Sequence, residues 1–219
     1  MPQIFGPRAN TISRVSILGT AAFLGGALLL WAWFIHNAAY LTGVGIVPDQ
    51  PVPFNHEVHV RDLSLDCRYC HATVDKTAFA GMPTSATCMT CHSQVWKDVA
   101  SMAIVESSFE SQEPLAWTRV HDLPDHAYFD HSAHVNQGVA CETCHGRVDQ
   151  MGLVYKTESL SMSWCLDCHR NPQQYVRPPD AVYTMGWQRP LEDTRSGETL
   201  VMEQNIDIER LDDCYVCHR

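Results

Sequence analysis

The apolar residues of this chain are gathered at one end. From Val15 to Pro48 there is no Asp, Glu, Lys or Arg, and the 21 residues from Val15 to Ile35 (VSILGTAAFLGGALLLWAWFI) are nearly all apolar. Wound as an α-helix they reach about 31 Å, the thickness of a bilayer's hydrocarbon core. Trp31, Trp33 and Tyr40 crowd the far end, where an interfacial aromatic belt is expected. Only Arg8 and Arg14 carry charge before it. The positive-inside rule then predicts a cytoplasmic N-terminus over 1–14, a transmembrane anchor over 15–40, and the rest of the chain across the membrane. A cleaved secretory signal also opens with basic residues and an apolar run. The run here is longer than a signal core, which favours a retained anchor.

Beyond residue 49 the pattern changes. Strand-like alternation is sparse and turn residues are frequent. Gln94 to Phe109 is the best soluble helix, with Val95, Val99, Met102 and Val105 near helical spacing and an apolar face expected to pack on a bound cofactor. Gln173 to Pro190 is rich in proline and aromatics and reads as an extended surface arm. Such a pattern predicts short helices and irregular loops, with too few apolar positions for an ordinary core.

What fills that core is named by the cysteines. All ten belong to five Cys-x-x-Cys-His motifs: Cys67, Cys70 and His71; Cys88, Cys91 and His92; Cys141, Cys144 and His145; Cys165, Cys168 and His169; Cys214, Cys217 and His218. This is the attachment signal for c-type haem, in which two thiols bond to the porphyrin and the next imidazole is placed to ligate the iron. Zinc ribbons and dithiol redox sites also use Cys-x-x-Cys, but neither needs histidine directly after the second cysteine. Five covalently bound haems are therefore expected, and no disulfides. Haem of this type is attached on the outer face of the bacterial membrane, in agreement with the predicted topology.

A duplication is visible around the motifs. The first unit, within 49–120, runs FNHEVHV, CRYCH, CMTCH; the second, within 121–172, runs FDHSAHV, CETCH, CLDCH. The remaining 173–219 holds the arm and the fifth motif. Of twelve histidines, five are in motifs and His36 ends the apolar stretch. His56, His59, His121, His126, His131 and His134 remain for five sixth-ligand positions. For the fifth of these His121 is preferred, with Met162 its rival and His126 behind both; Met82, Met185 and Met202 read as packing residues. No iron is obliged to stay open, no motif carries lysine in place of histidine, and no other nucleophile or nucleotide motif is present, which disfavours a substrate-reducing enzyme. No catalytic residue is assigned.

The Phe-x-His-x-x-His element resembles that of class III multihaem cytochromes. The resemblance implies that His56 and His131 ligate the haems on His71 and His145, while His59 and His134 cross to other haems. More widely, CRYCHATVDKTAFAGMPTSATCMTCHSQVW, RVHDLPDHAYFDHSAHVNQGVACETCHGRVDQM, SMSWCLDCHR and CYVCHR resemble the pentahaem cytochrome c subunits of alternative complex III, bacterial quinol:electron-acceptor oxidoreductases. That resemblance implies a respiratory electron relay in the inner membrane, with its haem domain on the periplasmic side. The partners it implies are a molybdopterin/iron–sulfur-like subunit, polysulfide-reductase-type membrane subunits, a monohaem cytochrome c, and a soluble acceptor or terminal oxidase. An autonomous membrane quinol dehydrogenase feeding a periplasmic reductase is the alternative, and a free-standing wire to extracellular acceptors a third. All 25 Asp and Glu follow the anchor, against 13 of the 15 Lys and Arg, so that part carries a formal −12, which disfavours nucleic acid and anionic lipid surfaces as partners.

Overall fold

A computed structural model describes residues 5–218. Residues 1–43 and 44–219 form two separate compact units. The first is helix α1 (Ala9–Asn37) followed by a short turn of helix, α2 (Ala39–Thr42). α1 has 29 residues, a mean hydropathy of 1.9 in its most apolar window and no buried residue. It is long and apolar enough to cross a bilayer, or to act as a signal. Every side chain of the apolar run faces outward, so α1 has no protein core of its own to enter.

The second unit is a chain of short helices. Its α-helices are α3 (Cys67–Cys70), α4 (Ser85–His92), α5 (Ala100–Ser111), α6 (His131–Asn136), α7 (Cys141–His145), α8 (Met162–Arg170), α9 (Gly197–Glu203) and α10 (Cys214–Cys217). A π-helical turn spans Glu57–Asp62, and single 3-10 turns connect the rest. Among the described residues there are no strands, only isolated bridges between Val44 and Lys156 and between Val139 and Val176. Every attachment motif lies on a helix, because one helical turn puts two cysteines three apart on one side.

The apolar interior is divided into small clusters. Val52, Met102 and Val105 form one; Val74, Val135 and Val182 a second; Val176, Leu200 and Val201 a third. None is large enough to organise 176 residues in the way a continuous core would, so the order of the unit rests on local turns and on what the motifs hold.

Two sequence expectations are corrected. The soluble helix begins at Ala100, not Gln94, because Trp96 sits at φ 56°, in the left-handed region, and Val99 is an extended N-cap. Its apolar face meets Val52 together with Cys88 and Met89 of the second motif. The segment 173–190 is not a surface arm. Val176, Ala181 and Val182 are buried, the Cys141 N–H donates to Val182 O, and Arg177 N–H donates to Gly138 O. Prolines set the bends of this segment, but its small apolar residues pull it into the second module.

Candidate haem-binding sites

The histidine pairs are the most informative geometry. His59 and His92 have ring centres 6.2 Å apart, His131 and His145 6.3 Å, His134 and His169 6.0 Å, and His126 and His218 5.7 Å. Two metal–nitrogen bonds of about 2 Å, with about 1.1 Å from each nitrogen to its ring centre, add up to about 6.2 Å. Each separation leaves room for one iron that the two imidazoles of the pair would hold between them. His56 neighbours His71 in the buried interior, the one motif histidine left without a ring pair among these four. None of the ten cysteines is joined to another in a disulfide, which leaves every one for a porphyrin. The residues fit haem c.

Backbone carbonyls fix most of these rings. The Nδ1 atoms of His71, His92, His169 and His218 lie 2.7, 3.1, 2.7 and 2.9 Å from the carbonyl oxygens of Gly81, Val95, Leu211 and His126. A carbonyl only accepts, so each Nδ1 carries the proton and each Nε2 keeps its lone pair for a metal. The same holds for His59 on Asn55 O at 2.8 Å, His134 on Asp130 O at 2.7 Å and His131 on Ala78 O at 2.9 Å.

The repeated phenylalanine has a structural task. Phe54 lies 4.7 Å from the ring of His56 and 4.3 Å from that of His59; Phe129 lies 4.8 Å from His131 and 4.4 Å from His134. One aromatic ring thus wedges two imidazoles apart in each module. The modules are wound differently, however: His56 caps and His59 lies within a π-helical turn, while His131 and His134 both lie on α6. The repeat was legible in the sequence, but not the wedge.

The remaining sequence candidates fall out as follows. His126 faces His218, while His121 lies with its ring edge-on to His145, centre to centre 4.2 Å. Met162 opens α8 and is 63% exposed. His36 ends α1. Glu142, unmarked by any motif argument, is a charge hub inside the third motif. It accepts from Arg177, from the Gly186 N–H at 2.6 Å, and pairs with Arg147 at 3.7 Å.

Burial keeps the interior imidazoles neutral. His56 is pushed down to about 4 and His145 to about 3, chiefly by desolvation and then by neighbouring histidines. Unfolded, these rings titrate near about 6.5, so below that pH the unfolded chain binds more protons than the folded one. Stability is expected to be flat above about pH 7 and to fall as pH drops from about 6.5 towards 4. Denaturation midpoints across pH 8 to 4 (on the order of one-unit steps) check this; stability that rose on acidification would contradict it.

Two family models match the chain. One described as the class III cytochrome C family covers residues 38–115, and one described as cytochrome c7 and related cytochrome c covers residues 127–219. The menaquinone reductase multihaem cytochrome c subunit of Nitratidesulfovibrio vulgaris (strain Hildenborough) is 33% identical over 131 residues, 58% of this chain and 59% of the relative's length. The chain therefore spans less than two thirds of that relative.

Proposed function

With class III and c7 multihaem cytochrome domains joined to one N-terminal apolar helix, we propose that this chain is the five-haem electron-transfer subunit of a membrane quinol:electron-acceptor oxidoreductase of the alternative complex III kind. The observation that carries the reading is the saturation of ligands. Four motif histidines have a second ring 5.7 to 6.3 Å away, and the buried His56 has His71 as an electrostatic neighbour, so the histidines present can fill all five positions without a substrate. Bound haem supplies reversible one-electron chemistry; the chain's residues supply spacing, burial and ligands.

The motifs stand in a row. Tyr69 of the first hydrogen-bonds Thr90 of the second at 2.8 Å. The loop after the first motif reaches the third site through Ala78, whose carbonyl accepts from the His131 N–H at 3.2 Å and lies 2.9 Å from its Nδ1. His131 and His134, three apart on α6, bind the third site to the fourth. His169 and Arg170 of the fourth reach Leu211 and Asp212, just before the fifth, at 2.7 and 3.1 Å. The order in space is second, first, third, fourth, fifth. Electrons passing between the ends cross the third site.

In this reading the chain divides as 1–14, an anchor over 15–40, a first two-haem module over 49–120, a second over 121–172, and 173–219 with the fifth motif. His126 takes the fifth distal position, with His56, His59, His131 and His134 in the others. Quinol is oxidised in polytopic, polysulfide-reductase-type subunits of the bacterial inner membrane. A molybdopterin/iron–sulfur-like subunit and a monohaem cytochrome c complete the assembly, and a soluble cytochrome, copper protein or oxidase receives the electrons on the periplasmic side. A second reading is favoured by the relative's name: the same chain delivering electrons towards a menaquinone, in the opposite direction.

Quinol-driven haem reduction, followed by stopped-flow absorbance, tests this on the isolated chain in detergent and on the gently purified assembly. Fast reduction of the assembly with a slow or silent isolated chain is expected. Fast, inhibitor-sensitive reduction of the isolated chain would instead make it an autonomous quinol dehydrogenase. An assembly that quinol does not reduce, but that quinone reoxidises rapidly after reduction by a soluble cytochrome, would establish the menaquinone-reducing direction.

A further inference from the structure

His121 is the one histidine of the second unit outside the five ligand pairs. It cannot ligate the iron held by His145 from the opposite side. That arrangement needs about 6.2 Å between ring centres, and His121 stands at 4.2 Å, tilted 70°, while His131 already occupies the facing position at 6.3 Å and 10°. Nor is His121 near another motif histidine among the described ring contacts. Its Nε2 is buried and has no hydrogen-bond partner.

His145 is also the exception among the motif histidines. The other four are locked by a backbone carbonyl at Nδ1. Among the described residues no such carbonyl serves His145. Its imidazole is packed by one ring, the edge of His121 at 4.2 Å, while His131 faces it at 6.3 Å, too far to pack against it. A carbonyl acceptor makes an imidazole more basic and a better ligand for the ferric state, and its orientation relative to the opposite ring sets the low-spin iron's electronic anisotropy.

We propose that His121 is the positioning residue of the third site: its ring replaces the missing carbonyl, fixes the plane of His145, and keeps water from that imidazole. This rests on the five-site reading above. The third site is the middle of the row, so its potential decides whether electrons pause there. With no carbonyl making His145 more basic and water kept out, the third site sits at a higher potential than a carbonyl-locked equivalent would.

The test uses the full haem-loaded chain in its native membrane, with His121→Ala and His121→Phe, read by low-temperature electron paramagnetic resonance and by spectroelectrochemical titration. His121→Ala opens the space to water. All five haems are expected to stay low-spin, one resonance to shift its largest g value, and one of five titration components to move to lower potential. His121→Phe keeps a ring edge in place, so that resonance and component are expected to stay near the parent's. A high-spin haem in either variant would make His121 a ligand and overturn the proposal. So would an unchanged set of five in His121→Ala, or a His121→Phe that shifts as far as His121→Ala. If the alanine variant fails to fold, the phenylalanine variant alone still decides between a ligand and a packing ring. His126→Ala separates the underlying reading from this one: it must convert one low-spin haem to high-spin, and if it does not, the ligand pairing fails independently of His121.

Discussion

Replacing His131 by alanine is expected to lower quinol-to-acceptor electron transfer through the assembly at least about a hundredfold, more than loss of any ligand at an end of the row. The third site would keep His145 alone, and absorbance should show one high-spin haem. The size of the effect follows from position. The loop after motif one reaches the third site through Ala78 and His131, and the third site reaches the fourth through α6. His59→Ala, which strips the second site at one end, is the comparison. It should spare reduction of the other four haems by a chemical donor, whereas in His131→Ala the haems on either side of the third site should reduce in two kinetically separate groups. Equal kinetics in the two variants would break the proposed order.

The second large effect is on stability. Glu142→Gln is expected to destabilise the folded chain by about 3 kcal/mol, read from the shift in chemical denaturation. Glu142 and Arg177 have side chains only 12% and 15% exposed, and Arg177 has no other carboxylate near it among the described ion pairs. Removing one charge therefore leaves the other desolvated and uncompensated. The same change at Asp122, whose pair with Arg119 has both partners mostly exposed (65% and 71%), is expected to leave the denaturation midpoint nearly where it was. If the two substitutions had equal cost, burial would not be what makes Glu142 matter. Because Glu142 lies between Cys141 and Cys144, its loss should also loosen the third site, visible as a broadened resonance there.

Much of this was legible in the residues. The five motifs, the N-terminal apolar helix and the Phe-x-His-x-x-His duplication are local patterns: a cysteine spacing puts two thiols on one side of a helical turn, and an unbroken apolar run gives a helix long enough to cross a bilayer. The choice between His121 and His126 was not local. Both lie in one short polar stretch, and only the return of Cys217, whose carbonyl accepts from the Tyr128 N–H, brings His218 to His126. The segment 173–190 was misread for a related reason. Proline and aromatic content reports bends, while its burial depends on Val74, Val135 and Leu200, far off in sequence. The helix start at Ala100 turned on a single left-handed residue, Trp96, which periodicity does not register. Glu142 was hidden because its partners, Arg147, Arg177 and Gly186, meet only after folding.

The pairing of His126 with His218 spans 92 residues, the longest reach of any hydrogen-bonded imidazole in the molecule's described part. A growing chain exposes His126 well before its partner exists. The other four sites can close in sequence as each module is made, but the fifth has to wait for the last motif. In the five-haem reading, this pairing is the one of the five that joins the most distant parts of the chain. Until the last motif is made, the segment carrying His126 is an open end, and a chaperone or attachment enzyme that lingers there would see an unfinished molecule.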